Sequence, residues 1–168
     1  GIVSDSGDIQ CFGGTDSFGE LTPPTDKSAA TLACITYTCC ALARSSGIPF
    51  CWGKYSTSTY SPPAVPLSTI SGYDNHFCGL EQGTGFARCW GSNQYGQLDA
   101  PAGVSFTAIA TTSLNTCGVT ASGTLECFGS DSQGLGTPPA GSAFTSISGG
   151  SRHMCAWGAS GAIQCWGR

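Results

Sequence analysis

Charge is scarce in this chain: of 168 residues six are basic and ten acidic, for a net charge of -4. The basic residues, Lys27, Arg44, Lys54, Arg88, Arg152 and Arg168, stand singly. A nucleic-acid surface needs a basic stripe to neutralise phosphates, so no nucleic-acid partner is expected. No apolar run approaches membrane-spanning length and no basic amphipathic stretch occurs, so no membrane insertion is expected either. Catalytic motifs are missing too: there is no G-x-S-x-G elbow, no H-E-x-x-H pair and no acidic cluster. Asp5, Asp8, Asp16, Asp74, Asp99 and Asp131 are spread through Gly/Ser-rich turns, where such residues cap loops rather than gather a calcium ion. The absences describe a chain that is not an enzyme and needs neither cofactor nor metal. An N-x-Ser/Thr acceptor is also absent, so no asparagine-linked glycan is expected.

What the chain has is glycine, 25 residues, and cysteine, 11 residues. Five times a cysteine, an aromatic and a glycine follow one another: Cys11-Phe12-Gly13, Cys51-Trp52-Gly53, Cys89-Trp90-Gly91, Cys127-Phe128-Gly129 and Cys165-Trp166-Gly167. The first interval between these cysteines is 40 residues and the next three are 38, so the chain is a tandem repeat. Aligned on the signature, an opening strand lies at 66–71, 106–110 and 144–148, with a degraded copy at 30–34. A second strand follows at 40–42, 78–80, 117–119 and 155–157, and the signature closes a third.

Between second and third strands two cysteines recur: Cys40 with Cys51, Cys78 with Cys89, Cys117 with Cys127 and Cys155 with Cys165. A turn midway puts each pair side by side across a hairpin, as a disulfide requires, and predicts an oxidising, secreted or cell-surface setting. No C-x-x-C pair supports metal ligation instead. Cys11, Cys34 and Cys39 fall outside the pattern; at most one pair forms among them, leaving an odd thiol. Gly1 occupies the place of Gly79, so the chain is expected to start inside a hairpin, and both ends read as cuts through a longer array.

The fold class expected is all-β: propeller blades of about 38 residues, each a disulfide-stapled antiparallel unit, forming a partial or open arc. Residues 1–168 form one repeat domain, with a partial blade at 1–13 and units at 14–53, 54–91, 92–129 and 130–168. Irregular segments at 22–25, 61–64, 99–102 and 137–140 link the units as exposed turns.

The run Trp90-Gly91-Ser92-Asn93-Gln94-Tyr95-Gly96-Gln97-Leu98 resembles the signature of the regulator of chromosome condensation repeat family, and Gly149 through Ala156 looks like its Gly–His segment. Short, cysteine-paired blades are closer to secreted relatives, such as the propeller-type beta-lactamase inhibitor protein, than to the nuclear exchange factor. That resemblance implies a propeller and a loop face for protein partners, and does not carry over exchange activity.

Five residues are candidates for binding: Tyr73 and Tyr95, which fall in loops; Trp157, which replaces Leu42, Leu80 and Val119 at one strand position; and Asn75 and Asn93 as polar neighbours. His76 and His153 share a slot with Asn115 and Thr38, which reads as a polar residue bonding to loop backbone rather than a catalytic base. Pro23, Pro24, Pro62, Pro63, Pro138 and Pro139, beside Ser or Thr, resemble sites of proline hydroxylation and O-glycosylation; stiffening of the linker is the plain alternative. The leading expectation is a non-enzymatic extracellular scaffold for a protein partner or for neighbouring copies in an assembly. A carbohydrate-binding propeller and a proteinaceous enzyme inhibitor are the alternatives.

Overall fold

The computed structural model describes residues 2–55, 60–141 and 143–168, and Gly1, with the expectation attached to it, lies outside them. Every element among the described residues is a strand. A two-stranded ladder, β1 (Ile2–Val3) with β2 (Ile9–Gln10), precedes four three-stranded antiparallel sheets. These are β3 (Ala29–Ile35), β4 (Thr38–Ala43) and β5 (Pro49–Gly53); β6 (Leu67–Tyr73), β7 (His76–Glu81) and β8 (Ala87–Gly91); β9 (Phe106–Thr111), β10 (Asn115–Thr120) and β11 (Leu125–Gly129); and β12 (Phe144–Gly149), β13 (His153–Gly158) and β14 (Ile163–Gly167).

In each sheet the middle strand pairs with both others in chain order, and no sheet closes on itself. The first strands of successive sheets touch one another, β3 with β6, β6 with β9 and β9 with β12, so they line the inside of an arc of blades. This is the partial propeller arc, all-β and stapled, that the repeat implies.

The ladder register places Cys40 opposite Cys51, Cys78 opposite Cys89, Cys117 opposite Cys127 and Cys155 opposite Cys165. All four pairs are disulfides with Cα atoms 4.0 to 4.1 Å apart. A fifth disulfide, Cys34–Cys39, closes the turn between β3 and β4, and Cys11 keeps a free thiol whose pKa burial raises.

The core lies between neighbouring sheets rather than at one centre. The leading apolar residue of each first strand packs on the middle strand of the sheet before it: Leu67 clusters with Leu42, Phe106 with Leu80, and Phe144 with Val119. Space for these side chains comes from glycines; a Cβ on Gly118 would strike Phe106, and one on Gly79 would strike Leu67. Full burial of one such side chain contributes about 1.5–3 kcal/mol. Polar ties reinforce the contact: Ser71 and Thr111 share a hydroxyl hydrogen bond at 3.0 Å, and His76 Nε2 lies 3.0 Å from Thr116 Oγ1.

The proline segments are irregular, as expected, and their end residues are exposed, but the middle two residues of each are half-buried. They cross from one sheet to the next, and nearby Val65 and Ala100 pack into the intersheet clusters, drawing the prolines down with them.

Candidate functional site

One end of the arc carries the turns that join first to middle strands. Four times, the residue after the signature glycine donates its backbone N–H to the last residue of this turn: Lys54 to the Tyr37 carbonyl at 2.9 Å, Ser92 to Asn75 at 2.9 Å, Ser130 to Leu114 at 3.1 Å and Arg168 to Arg152 at 2.7 Å. The bond latches the end of the last strand to the turn. It also accounts for the signature glycine: Gly53, Gly91, Gly129 and Gly167 all have positive φ, and a side chain there would collide with the very carbonyl that the latch uses. The turn is thus anchored by the same hydrogen bond in four sheets, while the side chain on the anchored residue changes from tyrosine to asparagine to leucine to arginine.

Inside this rim a cavity of about 480 Å³ is lined by Thr36, Asp74, Ser113 and Ser151, each the residue just before the latched carbonyl of its sheet, with Tyr73 beside them. A smaller cavity of about 240 Å³ shares Asp74, Ser113 and Ser151 and adds Gln133 and Arg152. The turns are cross-linked by hydrogen bonds, from Thr36 Oγ1 to the Asp74 carbonyl at 3.4 Å and from Ser113 N–H to the Ser151 carbonyl at 3.2 Å. Asp74 holds a left-handed backbone, φ 53°, which aspartate tolerates better than most residues. The mouth presents hydroxyls, one carboxylate and one guanidinium; it is built to bind polar groups. No group of His, Cys, Asp and Glu among the described residues is arranged to hold a metal ion.

The five candidate binding residues do not form one site. Tyr73 is not in a loop as expected but is the last residue of β6, paired with His76, where it lines the larger cavity, while Asn75 lies in the adjoining turn and is exposed. Tyr95, 51% exposed, and Asn93 lie in the loop leaving the second sheet's latch. Both ends of the Asn93 side chain serve that loop: its Nδ2 donates to Asp99 Oδ1 and its Oδ1 accepts from the Leu98 N–H, each at 2.9 Å. Asp16 and Asp131 do the same in other linkers, accepting from Leu21 and Gly136. Trp157 lies elsewhere, on the open flat of the fourth sheet with Ile163.

The histidine slot divides. Thr38 bonds loop backbone as expected, accepting from the Tyr55 N–H at 3.0 Å, whereas His76 is fully buried against Thr116 of the next sheet and His153 is exposed. Burial pushes the His76 pKa down to about 4, against a backbone hydrogen bond to Asn115 that raises it. The six candidate prolines are half-buried beside exposed Thr22, Thr25, Ser61 and Thr137.

Sequence reasoning missed Tyr37, Leu114 and Arg152. Their signal was present: each immediately precedes the slot of Thr38, Asn115 and His153, and that column varies within an otherwise repeating frame.

No protein-family model and no curated protein matches the chain. Among solved structures, it is similar to the ectodomain of the receptor kinase CR4 from Physcomitrella patens, with 29% identity, 92% of this chain and 45% of that one covered, and a TM-score of 0.78. The ectodomain of the Arabidopsis thaliana receptor kinase ACR4 is similar at 24% identity, covering 88% of this chain and 54% of that one, with a TM-score of 0.72. Yeast RCC1 (Prp20), solved bound to Kap60, shares the fold at 16% identity, covering 86% and 45%, with a TM-score of 0.67. The chain spans about half the length of these structures.

Proposed function

We propose that this chain is a non-enzymatic, extracellular protein-binding module that meets its partner with the turn face. The observation that carries this reading is the latch: the same hydrogen bond anchors all four turns, each bearing a different side chain, which suits a recognition surface. Holding the turns rigid lowers the ordering cost of contact, which otherwise subtracts from affinity. Five disulfides suit an oxidising, extracellular setting. Likeness to the ectodomains of two plant receptor kinases supports the same setting.

The test is a binding screen of the oxidised chain against an array of extracellular protein domains. A variant altered at the turns (Asn75→Ser, Leu114→Ser, Arg152→Ser) is compared with one altered at the opposite end of the sheets (Ser45→Lys, Ser122→Lys). The reading expects a binder that the first variant loses and the second keeps. Binders indifferent to the turn substitutions would overturn it.

A second reading rests on the hydroxyl-rich cavity beside Tyr73. That lining fits a carbohydrate, whose hydroxyls pair with Asp74, Ser113 and Ser151 while a sugar face stacks on the ring. Glycan-array binding abolished by Tyr73→Ala would favour it over a protein partner.

A further inference from the structure

The first sheet's corner of the turn face holds a cation without an acid. Lys54 follows the latch glycine Gly53, and its Nζ lies 4.6 Å from the ring centre of Phe18, 5.0 Å from that of Tyr55 and 5.3 Å from that of Tyr37. The rings are themselves braced: Phe18 meets Tyr37 edge to face at 5.1 Å, and Tyr55 stacks at 4.9 Å on buried Tyr60. Ring faces attract an ammonium through their quadrupole, so three of them restrain a side chain that is ordinarily free to swing.

Among the described residues no carboxylate forms an ion pair with it. Asp16 is engaged by the Leu21 N–H and the Thr22 hydroxyl, and Glu20 by the Phe18 N–H. Residues 56–59, which follow Tyr55, are Ser-Thr-Ser-Thr and carry no acid. Among the described residues the one ion pair is Arg88 with Glu81, in the second sheet. Around the ammonium, Phe18 and Tyr37 remain 45% and 39% exposed. Exposed aromatic rings are enriched at protein interfaces, and here they flank a restrained cation that has no ion-pair partner among the described residues.

We propose that Lys54, framed by Phe18, Tyr37 and Tyr55, is the docking point for an acidic segment of a protein partner. An aspartate or glutamate carboxylate accepts hydrogen bonds from the outward N–H groups of Lys54, and apolar residues flanking that acid cover the two exposed rings. Once covered, the pair is drier and its charge-assisted bonds are stronger. The single ammonium argues against a sulfated polysaccharide, which needs a row of cations, whereas the exposed rings call for apolar side chains that such a chain lacks. This inference rests on the turn face being the contact surface and adds the chemistry of what lands there.

A display library of random twelve-residue peptides is panned on the oxidised domain, and enriched peptides are measured by calorimetry against wild type, Lys54→Gln, Lys54→Arg and Phe18→Ala. Lys54 is exposed, so an unchanged melting temperature establishes that these variants fold. Enriched peptides are expected to share an acid next to an apolar residue. Lys54→Gln should weaken them about tenfold or more, Lys54→Arg should largely preserve them, and added salt should lower affinity. Enrichment without an acid, no enrichment over a blank surface, indifference to Lys54→Gln, or tighter competing binding by heparin fragments each overturns the proposal. Peptides that ignore Lys54 but are lost in the Asn75, Leu114 and Arg152 variant leave the turn-face reading standing, while peptides indifferent to both sets sink the two together.

Discussion

The second and fourth sheets use the same strand positions for opposite ends. In β7, His76, Cys78 and Leu80 face the third sheet and are at most 2% exposed. In β13 the same positions hold His153, Cys155 and Trp157, and the outermost, Trp157, is 39% exposed while Ile163 of β14 beside it is 68% exposed. The strands, the register and the disulfide are alike in both. What differs is the roof: Phe106 leads a strand over β7, and among the described residues no such strand covers β13. A blade therefore supplies half of its own core, and the neighbour supplies the rest.

The largest expected effect tests that division directly. Leu80→Ala removes a side chain enclosed by Phe106 and Phe128 and should cost about 2–5 kcal/mol in a urea melt of the oxidised protein. Trp157→Ala, although it removes more atoms, should cost less than about 1 kcal/mol, because partly exposed atoms leave no sealed cavity. Equal losses would mean that the β13 face is covered in solution, and the comparison would fail.

The staples sharpen it. Removing Cys78–Cys89 or Cys155–Cys165 by paired alanines opens loops of nearly equal length, with separations of 11 and 10 residues. If a disulfide acts by restricting the unfolded chain, each loss costs about 3 kcal/mol whatever its burial. The excess at Cys78–Cys89, measured in the same melts, is then the packing of fully buried sulfur; an excess at the exposed staple instead would refute that assignment.

A smaller effect follows from His76. Its folded pKa of about 4 lies below the ordinary histidine value of 6.5, so between these values the unfolded chain binds a proton that the folded chain refuses. Its neutral form is accommodated fully above pH 6.5, and stability falls as pH drops from there towards 4, by up to about 3 kcal/mol. Subtracting the melt profile of His76→Gln from that of wild type isolates this contribution from the carboxylates; a flat difference would refute it.

The division between sheets also explains what the sequence could and could not disclose. Strand order and the four hairpin disulfides were legible because they depend on contacts within one repeat, and the repeat shows them four times over; the arc was legible from the repetition itself. Pairing of Cys34 with Cys39 was not, since both lie in the degraded first repeat and only the ladder sets them opposite each other. The histidine slot misled for a related reason: His76 and His153 look equivalent along the chain, and their environments differ through a neighbour no local pattern records. At the turn face the signal was variation, not recurrence. Lys54 reads as one stray cation until the linker brings Phe18 onto it.

The least expected effect concerns a single hydrogen bond in two settings. Trp52 of the first sheet, 5% exposed, donates its indole N–H to the Glu20 carbonyl at 3.1 Å, and Trp166 of the fourth sheet, half-buried, donates to the Leu135 carbonyl at 3.2 Å. Phe128 occupies the same place in the third sheet with no donor, so a phenyl ring fits the slot. Replacing either tryptophan with phenylalanine strands one linker carbonyl. Trp52 is the more deeply buried of the two, so water reaches its vacated bond less easily, and Trp52→Phe should cost about 1–2 kcal/mol. Trp166 is only half-buried, which leaves water a way to the vacated bond, so Trp166→Phe should cost about half a kcal/mol or less. Amide exchange at Leu21 and Gly136, whose N–H groups bond Asp16 and Asp131 in the same two linkers, reports the loosening locally. Faster exchange at Leu21 in the first variant, with Gly136 unchanged in the second, would extend the contrast between roofed and open sheets from side chains to backbone; the reverse order would break it.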